Sequence, residues 1–413
     1  MPRLDHAPWL RDGALARLLA ALDGDGEEAR VIGGAVRNAL LGEPIGDIDV
    51  ATTALPGEVT RRAQAQGFKA VPTGIDHGTV TVVIEGRPFE VTTLREDVET
   101  FGRKARVSFG RDWKKDAERR DFTINALSVT RDGGIHDYTG GLADLENRRI
   151  RFIGDPAARI AEDYLRILRF FRFHAHYGEG LPDHAGFVAC ISARAGFATL
   201  SRERVRAELL KLLLGRHAVP VLAVMSECGL LISVLGGVAQ LASLSNLAKI
   251  EHAMGQHPDP VRRLGALAVL VPDDAQRLGE RLRLSNAEQQ RLASMGDRWR
   301  GIAPEASGRS ARALLYRLGP ERFTDRVLIA WSRSQAGIAD TNWRALSELP
   351  QHWIIPVFPV KAADFIKRGI EKGPALGAAL AAAEAAWIAQ DFPADEKALT
   401  AIIGDAMNAA KRE

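Results

Sequence analysis

Asp47-Ile48-Asp49 and, a short way upstream, Gly33-Gly34-Ala35-Val36-Arg37 are the residues of this chain best suited to chemistry. Along an extended strand, residues i and i+2 point to the same face, so the two carboxylates would project side by side. Two such anions repel each other, and a divalent cation between them relieves the repulsion. The glycine pair lets backbone N–H groups come close to a phosphate, and a following helix adds its positive N-terminal end. Arg37 can reach the same anion. Metal, phosphate and turn chemistry thus converge in one stretch, the layout of a nucleotidyl-transfer site. Taken singly, D-x-D is more often a polar strand end and Gly-Gly a turn. The order strand, Gly-Gly, helix, Arg, loop, D-x-D carries the reading.

Two clusters downstream extend it. Arg119-Arg120-Asp121-Phe122-Thr123-Ile124-Asn125 is either an ordinary helix start capped by Asp121 or Thr123, or a nucleotide contact. In the second case Arg120 meets a triphosphate while Asp121 and Asn125 fix ribose or backbone groups. In Glu162-Asp163-Tyr164-Leu165-Arg166, Asp163 and Arg166 stand at i,i+3 on one helical face. As a surface ion pair they would contribute only about 0.5 kcal/mol. Base-edge chemistry gives them a sharper use. Cytosine and adenine each offer an amino donor beside a ring-nitrogen acceptor, whereas guanine and uracil offer a carbonyl beside an N–H. A carboxylate next to a guanidinium therefore matches C or A and meets G or U like against like. A mismatched buried polar edge costs several kcal/mol, on the order of a hundredfold in selectivity. Arg169 and Arg172, at further three-residue steps, could reach phosphates or orient the pair.

These residues need a rigid frame. Residues 10–22 read as an amphipathic helix, and short apolar bursts at 29–32, 47–54, 68–72, 78–84 and 88–94 read as strands. Glu85-Gly86-Arg87-Pro88 looks like a hairpin turn, and Pro56 with Glu58 marks a helix start. Residues 95–118, charged and poorly periodic, are expected to form a mobile loop. Ile135–Leu145, with Gly140-Gly141 and two acids, is expected to be a flexible joint. From about residue 155 the spacing turns helical and stays so, through 203–214, 219–231, 260–271, 276–294, 309–318, 324–336, 360–369 and 375–389. His257-Pro258-Asp259 reads as the start of one of these helices. The proline-rich 350–359 marks a joint before the last of them.

The 413 residues are too many for one compact core. Two cysteines, Cys190 and Cys228, are too few for a disulfide framework or a zinc site, so a reducing cytoplasm is expected. The N-terminus lacks a charged-then-apolar leader, and no apolar run reaches membrane-spanning length, so neither secretion nor a membrane is expected. The net charge of +3 hides an asymmetry. Residues 1–150 carry 21 Lys/Arg against 24 Asp/Glu, and residues 151–326 carry 25 against 18. An acidic catalytic part followed by a basic one suits a protein that holds metal in one place and a polyanion in the next.

The first motif resembles that of the DNA polymerase beta-like nucleotidyltransferases. GGAVR…DID, RRDFTINAL, DYTGGLADL, EDYLRILRFFRF and Ser201–Leu209 (SRERVRAEL) together resemble, in order, five motifs of the class II tRNA nucleotidyltransferase and bacterial poly(A) polymerase family. The resemblance covers about residues 27–214. It implies an α+β chain: a small polymerase-beta-like α/β head (1–150), then an all-helical neck (151–215), RNA-binding body (216–330) and tail (331–413). It implies metal binding, as Mg²⁺, at Asp47 and Asp49. It places nucleotide contacts at Gly33, Gly34, Arg37 and Arg120, a protein template for the incoming base at Asp163 and Arg166, and further site arginines at Arg169 and Arg172. The 95–118 loop matches a segment implicated in switching from C to A addition. Two residues depart from the pattern. Asn38 stands where an Asp is usual, removing a charge near the phosphate site. Tyr164 replaces a frequent proline, so the template helix is expected to run on unbroken. Glu90 is a loose match to a third acid.

The implied activity is template-independent addition of CCA to the 3′ end of tRNA from CTP and ATP. A poly(A) polymerase with the same head is the nearest alternative, and a CC-adding or A-adding specialist shares the motifs. The near-neutral, Ala-rich 327–413, with 9 Lys/Arg against 10 Asp/Glu, favours the tRNA enzyme over a poly(A) polymerase with a basic tail. An RNA-binding protein on an inactive transferase scaffold would have no need of the paired acids.

Overall fold

The structure, a computed structural model, describes residues 3–11, 13–101, 104–304 and 308–410. The chain divides into two compact units, Met1–Val234 and Leu235–Glu413. In the first unit the elements are α1 (Gly13–Leu22), β1 (Ala29–Ile32), α2 (Gly34–Leu41), β2 (Asp49–Thr52), α3 (Pro56–Ala65), β3 (Lys69–Gly74), β4 (Thr79–Ile84) and β5 (Arg87–Thr93). They continue as β6 (Arg95–Phe101), β7 (Lys104–Phe109), α4 (Trp113–Glu118), β8 (Ser128–Thr130), β9 (Ile135–His136) and α5 (Gly141–Glu146). Helices α6 (Pro156–Glu162), α7 (Leu165–Tyr177), α8 (His184–Ser192), α9 (Arg202–Leu213) and α10 (Ala218–Glu227) follow.

Among the described residues, seven strands form one sheet in the order β3-β4-β5-β2-β1-β8-β9. Only the β2–β5 pair is parallel, and its register sets Asp49 opposite Glu90. Along β4, Val80, Val82 and Ile84 are buried while their neighbours are half-exposed, the period-2 pattern of a strand with one covered face. Leu15, Leu18, Leu19 and Leu22 of α1 are buried, a stripe at helical spacing. An aromatic cluster fixes α7 to the segment before β8. Phe152 stacks on Phe170 at 5.4 Å, and Phe122 lies 4.8 Å from Phe152 and 5.2 Å from Phe173. This packing sets the distance between the arginines after α4 and those on α7.

The mixed sheet and the switch to helices agree with the sequence reading, as do the hairpin between β4 and β5 and the helix at Pro56. Several expectations are corrected. The 95–118 segment is not a loop: β6 and β7 pair antiparallel and α4 follows, capped by Asp112 accepting from the Lys114 and Lys115 N–H groups. Residues 102 and 103 of that segment lie outside the described residues. A register shift between Asp97 and Glu99 breaks the alternation that would betray a strand. Ile135–Leu145 is not a loose joint either. The Asp137 carboxylate accepts from the backbone N–H groups of Thr139, Gly140, Gly141 and Leu142, and buried Asp144 accepts from Thr123 and Arg151. A Cβ on Gly141 would lie 2.2 Å from the Thr123 carbonyl oxygen, so only glycine allows this approach. Finally, the template helix does not run on through Tyr164. It ends at Glu162, and Asp163 is extended, with φ −157° and ψ 106°, before α7 begins.

Every regular element of the second unit is helical among the described residues. Asp259 caps Pro260–Ala268 as expected, accepting from the Arg262 N–H at 2.7 Å. The 276–294 stretch is two helices, Pro272–Leu282 and Asn286–Gly296, separated by a Ser285/Glu288 capping box. Helices at Leu241–Ala253, Thr341–His352 and Glu396–Ala410 were not expected. Cys190 and Cys228 are free thiols, and no helix among the described residues is long and apolar enough to cross a membrane.

Candidate active site

Asp49 is the first residue of β2 and is exposed; Asp47 lies two residues earlier in an irregular stretch, so the pair sits at a strand's entrance and not along it. The acids feel one another. Although the surface of Asp49 is open to solvent, the protein crowded around its carboxyl at the cavity keeps part of its hydration away and raises it above the ordinary aspartate value. The charges of Glu90 and Asp47 raise it further, while Arg120 opposes the shift. Glu90 therefore belongs to the same acidic group by register and by charge. Among the described residues no three His, Cys, Asp or Glu already stand together as a metal nest. Two or three carboxylate oxygens still fit a hard cation such as Mg²⁺, which commonly takes one or two protein carboxylates and fills its shell with water and substrate phosphate.

Gly33 precedes α2 at φ 69° and ψ −124°, a left-handed turn that favours glycine. Its N–H donates to the Leu127 carbonyl, and its own carbonyl accepts from Arg37 N. The turn hands the chain from β1 into α2 and brings Arg37, one turn in, beside the cavity. The Arg37 side chain is buried. Its Nη1 donates to Asn125 Oδ1 at 2.5 Å, its Nε and Nη2 to Asn38 Oδ1 at 3.1 and 2.8 Å, and its Nη2 to the Tyr177 hydroxyl at 2.8 Å. Burial lowers its basicity, and Tyr177 and Asp121 partly restore it.

Arg119 and Arg120 close α4. Both pair with buried Asp116, at 2.7 and 3.1 Å. Burial works to raise that carboxyl, but the two guanidinium groups outweigh it and hold it below its ordinary value. The next residue, Asp121, accepts two bonds from Arg169, at 2.8 and 2.5 Å, one from Asn125 Nδ2 and one from the Phe122 N–H. Asp121 and Asn125 therefore position Arg169 and Arg37, and neither Asp121 nor Thr123 caps a helix: residues Thr123–Asn125 make a single 3-10 turn with no side-chain cap, and the Thr123 hydroxyl donates to Asp144.

Asp163 and Arg166 are not neighbours on one helical face, because the break at Asp163 turns the carboxylate into the lead-in of α7. Asp163 Oδ1 accepts from the Leu165 N–H at 3.1 Å, and its Oδ2 pairs with Arg204 Nη2 at 2.5 Å. Arg166 donates to the Arg159 carbonyl at 2.6 Å and also pairs with Glu162. Both side chains nevertheless line one cavity. A cavity of about 490 Å³ is lined by Gly33, Gly34, Arg37, Asp49, Arg120, Asp163, Arg166 and Arg169, with Asp121, Asn125, Phe173 and Arg204 among its other walls. Of the residues expected at the site, Asp47 and Arg172 do not line it. Asp47 acts on Asp49 through its charge, and Arg172 pairs with Glu208 at 3.1 Å.

Arg204 carries no assigned role in the sequence reading, although its motif was singled out. It and Glu208, at i,i+4 on α9, hold Asp163 on one side and Arg169 and Arg172 on the other. That spacing was the available signal; which elements α9 faces was not. Glu162 and Arg159 pair with each other at i,i+3 within α6, but their further partners were hidden: Arg166 across the α6–α7 break for Glu162, and the Arg120 carbonyl just after α4 for Arg159.

The family model described as the poly A polymerase head domain matches residues 29–151, and the one described as the probable RNA and SrmB- binding site of polymerase A matches residues 195–241. The mitochondrial CCA tRNA nucleotidyltransferase 1 of Mus musculus is 36% identical over 367 residues, covering 88% of this chain and 83% of that protein. A CCA-adding enzyme of Limosilactobacillus fermentum is 33% identical over 375 residues, covering 88% and 89%. The fold is similar to that of the Bacillus stearothermophilus CCA-adding enzyme in complex with CTP, with a TM-score of 0.75, 26% identity, and 97% and 98% of the two chains covered. The chain belongs to the CCA-adding tRNA nucleotidyltransferase and poly(A) polymerase family.

Proposed function

We infer that the chain adds CCA to the 3′ end of tRNA from CTP and ATP, releasing pyrophosphate, with no nucleic-acid template. One observation carries this reading: a single cavity unites Asp49, the Gly33-Gly34 turn with Arg37 and Arg120, and the Asp163/Arg166 pair. The acids at one end suit the reacting centre, the turn and arginines suit the triphosphate, and the carboxylate–guanidinium pair suits the edge of C or A. Asp47 and Asp49 would hold Mg²⁺, with Glu90 the candidate third acid. Bound there, divalent metal lowers the pKa of the RNA 3′-hydroxyl and neutralises charge on the leaving pyrophosphate.

The protein's own part is positioning and charge. Arg37 and Arg120 set the triphosphate in line, which converts the attack into an oriented, effectively unimolecular step. Arg204 and Glu162 hold Asp163 and Arg166 so that the base edge meets a fixed acceptor and a fixed donor. Arg169, locked to Asp121, ties that reader to the phosphate side. Arg172 acts one step further out, through Glu208. The basic residues 151–326 are suited to the phosphates of the acceptor arm, read by shape more than by sequence. The division into head, neck, body and tail at 150, 215 and 330 is part of this reading. So is a cytoplasmic location, although the similar vertebrate proteins are mitochondrial by name.

Poly(A) addition is the second reading, favoured by the two matched family descriptions. One assay separates the two. Purified protein is given tRNA lacking its last three nucleotides, with each labelled triphosphate alone and then together, and the products are sequenced. Two C residues and one A, then arrest, is the expected result. Runs of A on unrelated RNA ends would replace it with the second reading, and no incorporation would overturn both.

A further inference from the structure

We propose that Tyr177 is a positioning residue for nucleotide binding, acting through Arg37; the inference rests on the nucleotidyl-transfer reading of the cavity. An arginine has five N–H donors. Four of those on Arg37 are taken, by Asn38 Oδ1 twice, Asn125 Oδ1 and the Tyr177 oxygen. Every one of these partners is neutral, and no carboxylate among the described residues is bonded to Arg37. The guanidinium also lies 4.1 Å from the centre of the Tyr177 ring and 5.3 Å from that of Phe173, so two aromatic faces stabilise its charge without cancelling it. What Arg37 presents to the cavity is one Nη1–H and, in a fixed orientation, a positive charge that no bonded carboxylate neutralises. That is a receptor for an anion, and Tyr177 supplies both a hydrogen-bond acceptor and a ring to hold it.

The placement of Tyr177 gives the contact a wider meaning. Arg166, Arg169, Phe173 and Tyr177 follow one another at steps of three, four and four residues, so one stripe of α7 faces this site. The first three line the cavity and Tyr177 does not. A single helix thus carries the base reader at its start and the clamp on the triphosphate arginine at its last turn, roughly 16 Å away at 1.5 Å per residue. Tyr177 should therefore govern affinity for the anionic part of any nucleotide and leave the choice of base to Asp163 and Arg166.

The test compares full-length wild type, Tyr177→Phe and Tyr177→Leu. For each, KM and kcat are measured for CTP and for ATP on suitably trimmed tRNA. Inhibition by inorganic tripolyphosphate, an anion with no base, is measured at fixed free Mg²⁺, together with UTP misincorporation. Tyr177→Phe keeps the ring and loses the acceptor. Both KM values and the tripolyphosphate inhibition constant should rise together by about fivefold, less than the full worth of one hydrogen bond to a charged group because Tyr177 acts through Arg37, with kcat little changed. Tyr177→Leu should exceed this, and UTP should be rejected as before in both. An unchanged inhibition constant in Tyr177→Phe, or a loss of base selectivity without a loss of tripolyphosphate affinity, would overturn the proposal. Thermal unfolding of the Phe variant separates a local change from a general loss of fold. Wild-type protein that incorporates neither CTP nor ATP would instead sink the functional reading, before Tyr177 is in question.

Discussion

In the unit Leu235–Glu413, Arg262, Arg263 and Arg291 converge on Glu251 and Asp325, each only 1% exposed. Asp325 accepts from Arg262 at 2.8 Å and from Arg291 at 2.6 and 2.9 Å, and Glu251 accepts from Arg263 at 2.8 Å. Around the cavity of Met1–Val234, by contrast, Arg37 leans on amides, a phenol and two rings. The first arrangement closes every charge on another charge; the second keeps one open. Even with its arginines, burial pushes the Glu251 carboxyl above its ordinary value, a measure of how strongly an interior resists ions. A buried arginine with neutral partners is therefore a costly arrangement, and its use is to wait for an anion. The contrast separates a network that holds helices in register from one that binds.

The sharpest way to break the binding side is Asp49→Ala. Loss of the strand-entrance carboxylate should lower nucleotide addition by about a thousandfold or more, the scale of several kcal/mol of charge stabilisation. Binding of tRNA, read by filter retention, should be largely kept. On the other side, Asp325→Ala takes away the buried carboxylate that Arg262 and Arg291 share, leaving Arg262 only Glu251 at 3.6 Å and Arg291 the more exposed Asp259 and Glu321. It should destabilise its unit by about 3 kcal/mol or more. Five of the seven tryptophans lie in that unit, so denaturant titration by fluorescence reports it directly. KM for CTP should stay at the wild-type value if this network is purely structural.

Arg166→Ala comes next. Discrimination against UTP should fall by about tenfold to a hundredfold while tripolyphosphate inhibition is unchanged, which assigns selectivity and anion binding to different arginines. Asp121 gives a pH test of the same wall. Burial raises its carboxyl, but Arg169 and the bonds from Asn125 and Phe122 outweigh this and hold it below its ordinary value. Its contribution to stability is therefore present above the unfolded value of about 3.9 and is lost as pH falls through the depressed one. Asp121→Asn should flatten the dependence of unfolding on pH below about pH 4 and leave a constant offset above it. A difference confined to neutral pH would remove Asp121 from the charged frame of the cavity.

The two sides of the contrast were not equally legible in the sequence. Gly33, Arg37, Asp49, Arg120, Asp163, Arg166 and Arg169 all line the cavity because each sits in a short motif whose spacing reports local geometry. What holds them was hidden. Arg204 reaches Asp163 across 41 residues, and Tyr177 reaches Arg37 across 140, distances at which no periodicity speaks. The break at Asp163 was missed for a local reason. An Asp that turns its side chain back onto the N–H two residues on can end one helix and start another without proline or glycine. The β6–β7 ribbon was missed because its charged residues and register shift leave no alternation to read. In the second unit the arginines of the closed network look, in sequence, like ordinary surface charges.

Asn38→Asp would turn the open arrangement into the closed one with a single atom pair changed, and it should have the smallest effect. Asn38 Oδ1 now accepts two bonds from Arg37 while its Nδ2 donates to the Pro44 carbonyl at 2.8 Å. A carboxylate in its place would keep the Arg37 bonds and strengthen them, but it would cancel the charge meant for the triphosphate. Its second oxygen would also face the Pro44 carbonyl with no proton to offer, loosening the stretch that leads to Asp47. KM for CTP and ATP and the inhibition constant for tripolyphosphate should all rise by about threefold, the discounted worth of a charge interaction near solvent. Raising the salt should shrink the difference between variant and wild type, because screening weakens an open charge more than a paired one. Equal or tighter tripolyphosphate binding in Asn38→Asp would mean that Arg37 holds the anion by its remaining N–H alone. The two arginine clusters would then differ only in how deeply they are buried.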